Sequence, residues 1–583
     1  MKIKVITRSY SRREFLICFI ITLIVVICET IALVLNIDKI RIISIKDVIR
    51  TPLNLIIYIA YVLSVALVPM VSLYTADFMM KLREIYKFYS IKSLELESME
   101  FVRKWSKTIP ALVSISFLLI VISILIKIYS LSLLSLIPIC IYVMLLLKPI
   151  YDVHNHSRKI DVELPWFLVL LIILESVKAD IKLLIDRLRS TRILPTIAKE
   201  LIIVDRDSRL YGLSHISAIM GRASVTPNVK LSSILSGYAS HLRSGGDVVP
   251  WLKSKLNELL IINELSLKLY SERILSVLGQ LMIAVYAILP LISMTIFVIN
   301  AYITVALIIS ITPLLIILVY ISQPKSLNYV HKFNLVSIPL LTIIFVSVIL
   351  YRIAGGHSIA IGWASALIIS YRYSKMIKEI DVLDKDGIEI VKIMVELKEN
   401  GYDVVRAFEY IMSMEAVHRI TIEKLRMTLA MLNQGIPLTY VAAKIPSPSF
   451  LFKFILFTIG LTHECGSNDP EVFQTLYEYI TKIKALYTGV EKASKFFDIF
   501  ALVNTLVIVW IWKSLKPLYE LMTAWSLSLT TLSSSDILYS ILYTSMLGYT
   551  LVSSTLRKGL PFLEPRSALF LLVVLVITPF IML

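Results

Sequence analysis

Apolar stretches long enough, or nearly long enough, to cross a bilayer recur along the chain. A span takes about 20 such residues. Eleven segments approach this: 15–35, 53–74, 110–128, 130–148, 274–298, 301–321, 335–351, 356–371, 496–515, 536–554 and 567–583. Two long polar regions, 150–273 and 372–495, separate them. Within the second, Ile388, Val391, Met394, Val395 and Leu397 recur near the 3.6-residue period, which predicts a helix. Asp386 and Gly387 suit its start and Gly401 its end. Further helices are expected over 404–412, 420–432, 451–461 and 471–486, the last entered from Asp469 and Pro470. The first region predicts helices over 164–177, from Asp180 to about Ser190, over 231–242, and from Val248 onward. No alternating strand pattern of any length occurs.

Four spans precede the first polar region and four separate it from the second. Both regions and the N-terminus are therefore expected on one side of the membrane. Short loops on that side carry 17 Lys and Arg, and the opposite loops carry 8, which places the polar regions in the cytoplasm. The loop 36–52, with Lys39, Arg41, Lys46 and Arg50, dissents. The first apolar run is longer than a signal-peptide core and lacks a small-residue cleavage site. The stretch 164–174 is apolar but short, and Asp161, Glu163, Glu175 and Lys178 flank it. A buried helix is expected there. Were it a span, the two polar regions would fall on opposite sides.

The expected architecture is all-α: a polytopic membrane protein of about 9–11 spans with two homologous cytoplasmic helical bundles. Its parts are 1–149 with a cytoplasmic loop at 75–109, a first module 150–273, a central membrane region 274–371, a second module 372–495, and a membrane region 496–583. Homology of the modules rests on spacing. The step from Ala179 to Gly401 and the step from Gly246 to Gly466 are nearly equal, each roughly 220 residues, as in an internal duplication.

Composition agrees: 57% of the 583 residues are hydrophobic and 17% charged, too apolar for an average soluble protein. The net charge of +17 suits anionic lipid or an acidic partner. The four cysteines, Cys18, Cys28, Cys140 and Cys465, form no CxxC or Cys/His cluster, so no metal site or disulfide framework is expected. The sequences GxxxxGK[ST], GxSxG and HExxH are absent. No catalytic residue and no cofactor are expected, nor is nucleic acid.

Charges at membrane depth are few. Glu29 lies in the first span, Lys127 and Lys148 at span ends, and Asp498 near a span start. An ion site at Glu29 competes with a helix-pairing role. His154, Asn155 and His156 lack a third ligand and read as a polar loop, whose sequon would stay unmodified in the cytoplasm. Residues 78–107 carry Met79, Leu82, Ile85, Tyr86 and Tyr89 beside Lys81, Arg83, Lys87 and Lys92. That pattern fits an interfacial helix on anionic lipid or a helix packed on the bundles. The first module carries 17 basic and 13 acidic residues, and Arg187, Arg189 and Arg192 cluster after its second helix. Either they contact an acidic partner or they form a solvated face. The second module is balanced, 16 against 16, and offers no bulk steering.

Several features together resemble the polytopic platform proteins of type IV pilus, archaellum and type II secretion machines (the secretion F, or Tad C, family). They are the opening Glu163, Leu164 and Pro165 with an apolar helix to Glu175 and Ala179; Ile388 onward to Gly401, Tyr402 and Asp403 with Val404, Val405, Arg406, Ala407 and Phe408 after it; and the turns Ser244, Gly245, Gly246 and Cys465, Gly466, Ser467 before each last helix. The likeness covers about 150–325 and 372–515. Ala179 stands where the family commonly has Gly, and the four leading spans exceed a compact member. The resemblance implies a non-enzymatic assembly platform in the cytoplasmic membrane. Its partners would be a hexameric secretion ATPase, pilin subunits, the lipid bilayer and a second copy of the chain. Arg187, Arg189, Arg192, Gly246, Asp247, Gly466 and Asp469 are the expected ATPase contacts. The competing expectation is a secondary transporter or channel with large cytoplasmic domains, which requires a continuous polar path through the spans.

Overall fold

The structure, a computed structural model, describes residues 136–295, 301–322, 333–414, 416–466, 470–524, 535–558 and 565–582. The segments expected to span at 15–35, 53–74 and 110–128, the helix at 78–107, Glu29, Lys127 and Asp469 lie outside the described residues. Among the described residues every regular element is a helix. In chain order they are α1 (Leu136–Ser176), α2 (Ile181–Thr191), α3 (Pro195–Tyr211), α4 (His215–Val225), α5 (Val229–Ser244) and α6 (Val248–Arg273). Next come a π turn (Ile274–Leu278), α7 (Gly279–Ile283), a second π turn (Ala284–Ile288) and α8 (Leu289–Thr295). Then follow α9 (Ala301–Ser322), α10 (Phe333–Ala354), α11 (His357–Glu399), α12 (Val404–Ser413), α13 (Arg419–Asn433) and α14 (Leu438–Lys444). The last are α15 (Phe450–Glu464), α16 (Pro470–Ala524), α17 (Ser535–Lys558) and α18 (Pro565–Met582).

The expected module boundaries at 149, 273, 371 and 495 all fall inside continuous helical runs. α1 has 41 residues, α11 has 43 and α16 has 55, or about 60 to 80 Å each at 1.5 Å per residue. Each carries an apolar stretch and a polar stretch without a turn between them. The pair Asp386 and Gly387, expected to start a helix, sits in the middle of α11. Helix formation depends on the local chain, which does not register where solvent changes.

Only one described helical segment, Phe497–Ser514, is both long and apolar enough to cross a membrane. Shorter apolar segments lie at Ser276–Ile292, Leu307–Val319, Pro339–Tyr351 and Ser567–Val576.

Two compact units divide the chain, one of Met1–Lys159 with Gly221–Ser233, the other of Ile160–Met220 with Ile234–Leu583. In the first unit, Asn228 Nδ2 donates to the Ser157 carbonyl at 2.9 Å, and Asn228 Oδ1 accepts from Leu231 N–H, capping α5. The histidine–asparagine sequence at 154–156 is helix, not loop.

A helix order repeats along the chain. α2 to α6 begin at 181, 195, 215, 229 and 248, and α12 to α16 at 404, 419, 438, 450 and 470. Each start in the second array follows its counterpart by nearly the same step, roughly 222 residues, as a duplicated unit would. Left-handed backbone positions recur with them: Lys178 with Gly401, Gly212 with Gly435, and Gly245 with Gly466. At the end of α1, Ala179 N–H reaches Leu174 O and Lys178 N–H reaches Glu175 O. At the end of α11, Tyr402 N–H reaches Leu397 O and Gly401 N–H reaches Lys398 O, the same closing motif. The residue matching Gly401 is thus Lys178, not Ala179. Lys178 has φ 54°, where a Cβ is penalised. Lys178→Gly is expected to stabilise the protein by about 0.5–1 kcal/mol, since the relieved strain exceeds glycine's entropy cost. Thermal unfolding of the full chain in lipid would show it.

The segment 164–174 is buried throughout, against aromatics of the second array. Trp166 meets Phe450, Phe454 and Tyr479 edge-on, with centroids at 5.3, 4.8 and 5.0 Å.

Candidate functional site

The expected partner-binding residues sit on the polar parts of the two arrays. α11 runs from apolar to polar sequence and α16 from polar to apolar, α6 is polar and continues into apolar sequence through the π turns, and α1 passes from an apolar start through a polar middle to the buried apolar stretch 164–174. The turn after α1 follows the buried apolar stretch, whereas the turns after α11 and before α6 and α16 are at polar ends of their helices. Gly246 and Asp247 lie in one such turn, both exposed, and the Asp247 carboxylate caps α6 by accepting from Val249 N–H at 3.1 Å. Gly466, exposed at φ 72°, occupies the matching turn. A Cβ at Gly246 meets nothing closer than 3.7 Å, so Gly246→Ala probes the surface without disturbing the turn.

The arginine cluster is dispersed. Arg187 points into the protein, with Nε 2.7 Å from Glu464 Oε2, an ion pair off the line of a straight hydrogen bond. Its guanidinium also lies 4.9 Å above the Tyr440 ring. Arg189 approaches Asp205 at 3.4 Å. Arg192 is exposed at φ 54° and ends α2, its N–H bonded to Leu188 O. Arg187 and Arg189 thus face acids of the protein itself, and Arg192 faces outward. Sequence spacing placed them in one cluster, whereas the turn at 192 and the neighbouring array separate them.

Glu464 does two jobs at this junction. Its Oε1 accepts from Thr439 N–H at 3.3 Å and Thr439 Oγ1 at 2.6 Å, capping α14, while Oε2 faces Arg187. Hydrogen bonding from Ser190 pulls the Tyr440 hydroxyl below its ordinary pKa, with Arg187 adding to the effect. Cys465, next in the chain, has its thiol pushed up by burial and by Glu464, which keeps it a poor nucleophile.

Each array has a buried acid that caps a helix from a distance. Glu163, 2% exposed, accepts from Thr196 N–H and Ile197 N–H at 3.0 and 2.8 Å. Asp386, 3% exposed, accepts from His418 N–H at 2.9 Å, from His418 Nδ1 at 2.8 Å, and from the Thr421 hydroxyl. Neither α3 nor α13 has a side-chain cap of its own. Glu163 and Asp386 keep the same spacing as the helix starts, which was the available sequence signal.

Tyr238 donates to Glu175 Oε1 at 2.5 Å. Burial, and then this hydrogen bond, push the phenol well above its ordinary pKa. The folded state keeps the proton where the unfolded chain would lose it, so this contribution declines as pH rises past about 10. Tyr238→Phe is expected to cost about 1–2 kcal/mol at neutral pH and to weaken the alkaline loss of stability. Thermal melts at pH 7 and pH 10.5 would test both.

No group of three or more His, Cys, Asp or Glu able to hold a metal exists among the described residues. The described residues define an all-α helical protein built around a repeated helix order. Comparison with protein families, with curated proteins and with solved structures finds no match.

Proposed function

We propose that the chain is a polytopic assembly platform in the cell membrane for an archaeal type IV pilus-like filament. The two helix arrays are duplicated cytoplasmic modules, and the chain is non-enzymatic. Its partners are a hexameric secretion ATPase, pilin subunits, surrounding lipid and a second copy of itself. The observation that carries this reading is the recurrence of five helix starts at one nearly constant spacing, each array continuing into an apolar segment through one unbroken helix or helix-and-π-turn run. Such rods suit mechanical coupling: force on the polar ends reaches the apolar ends without crossing a flexible loop. The sequence resemblance supplies the class of machine, and the apolar composition supports several spans.

The transporter reading needs polar groups free to face a pathway. α17 is buried and rich in hydroxyls, yet Thr544, Ser545, Thr550, Ser554 and Thr555 all donate to carbonyls three or four residues back on α17 itself. That arrangement favours packing over conduction.

The test is binding of the full chain, reconstituted in lipid, to the secretion ATPase of its own cell, with ATP turnover recorded alongside. Binding with altered turnover is expected, and Arg192→Glu and Asp247→Lys are expected to weaken it several-fold. An ATPase that neither binds nor changes turnover would remove the reading.

A further inference from the structure

The two arrays share a helix order but differ at one corner. In the first, α3 passes into α4 through Leu210, Tyr211, Gly212 and Leu213, and the three apolar side chains are 70%, 71% and 43% exposed. The turn holds them outward. Gly212 takes φ 61°, and Ser208 Oγ donates to the Leu213 carbonyl at 2.7 Å. Ser214 Oγ then accepts from Ser217 N–H at 3.3 Å where α4 begins. The second array makes the same left-handed turn at Gly435. There Asn433 and Gln434 stand in place of Leu210 and Tyr211, and Ile436, matching Leu213, is half-buried. The turn itself therefore does not require an apolar corner. Single exposed apolar residues are ordinary, whereas three in one short turn form a patch of the kind that contacts another molecule.

The corner lies at the end of the first array farthest from the apolar run. Arg189 meets Asp205 at 3.4 Å and Asp186 meets Arg209 at 3.9 Å, so α2 and α3 are antiparallel and the end of α3 is level with the start of α2. Tyr238 of α5 reaches Glu175 near the close of α1, so the turn into α6 lies at this end too. From there α6 takes 26 residues, about 39 Å, to reach the π turn that opens the apolar run. A bilayer entered at Ile274 is out of the corner's reach. The acids at this end serve the protein itself. Asp180 and Asp247 cap α2 and α6, and Asp205 and Asp207 pair with Arg209 and Arg206. Lys178, Lys182 and Arg243 are exposed at the same end, and no ion pair engages them among the described residues. The charge left over for a partner is positive.

We propose that this corner is a protein-docking surface whose partner offers an apolar pocket edged with acidic side chains. It rests on the reading above in giving that pocket to the secretion ATPase, and it assigns the docking to the first array rather than the second. The like charges around the corner oppose two copies of the chain meeting through it.

Tyr211→Cys in the full chain, reconstituted in lipid nanodiscs, tests it. A polar maleimide is expected to label this thiol quickly, over a background set by the unchanged chain. The secretion ATPase of the same cell should slow that labelling at least about tenfold. Leu210→Ser combined with Tyr211→Ser should weaken ATPase binding at least about tenfold, as loss of apolar anchors does. Lys182→Glu combined with Arg243→Glu should weaken it several-fold at low salt and less at high salt. Asn433→Ser combined with Gln434→Ser should leave it unchanged. Slow labelling before the ATPase is added would show the corner covered and overturn the proposal. Disulfide-linked copies of Tyr211→Cys would give the corner to a second copy instead. Wild-type binding that survives loss of Leu210 and Tyr211 overturns this inference alone. A wild-type chain that leaves the ATPase unbound removes the platform reading and the docking with it.

Discussion

Asp386→Ala is expected to open α13 locally while most of the chain stays folded. The carboxylate is almost fully buried and serves the His418 main chain, the His418 ring and the Thr421 hydroxyl. Alanine leaves the buried Thr421 hydroxyl without its acceptor and removes the acceptor of the His418 main chain, while the exposed His418 ring can turn to water. Loss of a cap costs about 0.5–2 kcal/mol, and hydrogen bonds to a charged group are worth about 1.5–3 kcal/mol. About 3 kcal/mol is expected, on the order of a hundredfold faster exchange for the first-turn amides of α13. Asp386→Asn keeps one acceptor oxygen and should lose about 1 kcal/mol. Glu163→Ala should do to α3 what Asp386→Ala does to α13, because Glu163 holds the two amides that open that helix. Equal exchange in wild type and Asp386→Ala would show that α13 is held by packing alone.

The second large effect is expected from Gly460→Ala. A Cβ on Gly460 would lie 2.7 Å from Thr439 N and 2.9 Å from Leu438 C. Both are main-chain atoms, so no side chain can swing aside, and α14 must move as a whole. Overpacking of this kind costs about 1–3 kcal/mol. The displacement also pulls Thr439 from Glu464 and loosens the Arg187 contact that joins the arrays. Gly460→Ala should therefore lower the thermal midpoint and raise exchange in both α14 and α2. Gly246→Ala, whose Cβ meets only ordinary van der Waals contacts at 3.7 Å and beyond, serves as the control and should change neither. A midpoint within error of wild type would mean that α14 and α15 can separate at no cost.

Periodicity was a good guide inside the polar regions. Expected helices at 404–412, 420–432 and 451–461 are realised as α12, α13 and α15 with slightly shifted ends. Their apolar stripes and end residues are local information, and Gly401 ends its helix at φ 77° as a left-handed cap should. The joins were not legible. Asp386 resembles a helix start because acids commonly are one, yet it caps the distant helix that begins at Arg419. Arg187, Arg189 and Arg192 lie close in sequence but face Glu464, Asp205 and the exterior.

Helix content, the two polar arrays and the constant spacing between them were determined by the sequence alone, since propensity, periodicity and repetition act along the chain. Which charges are used up inside the protein was decided by tertiary structure. So was the packing around Tyr286, where α9, α16 and α17 reach one residue from distant parts of the chain. A hydrogen bond or a missing Cβ is effective only at a few ångströms, and the pairing of such distant residues depends on how the helices pack.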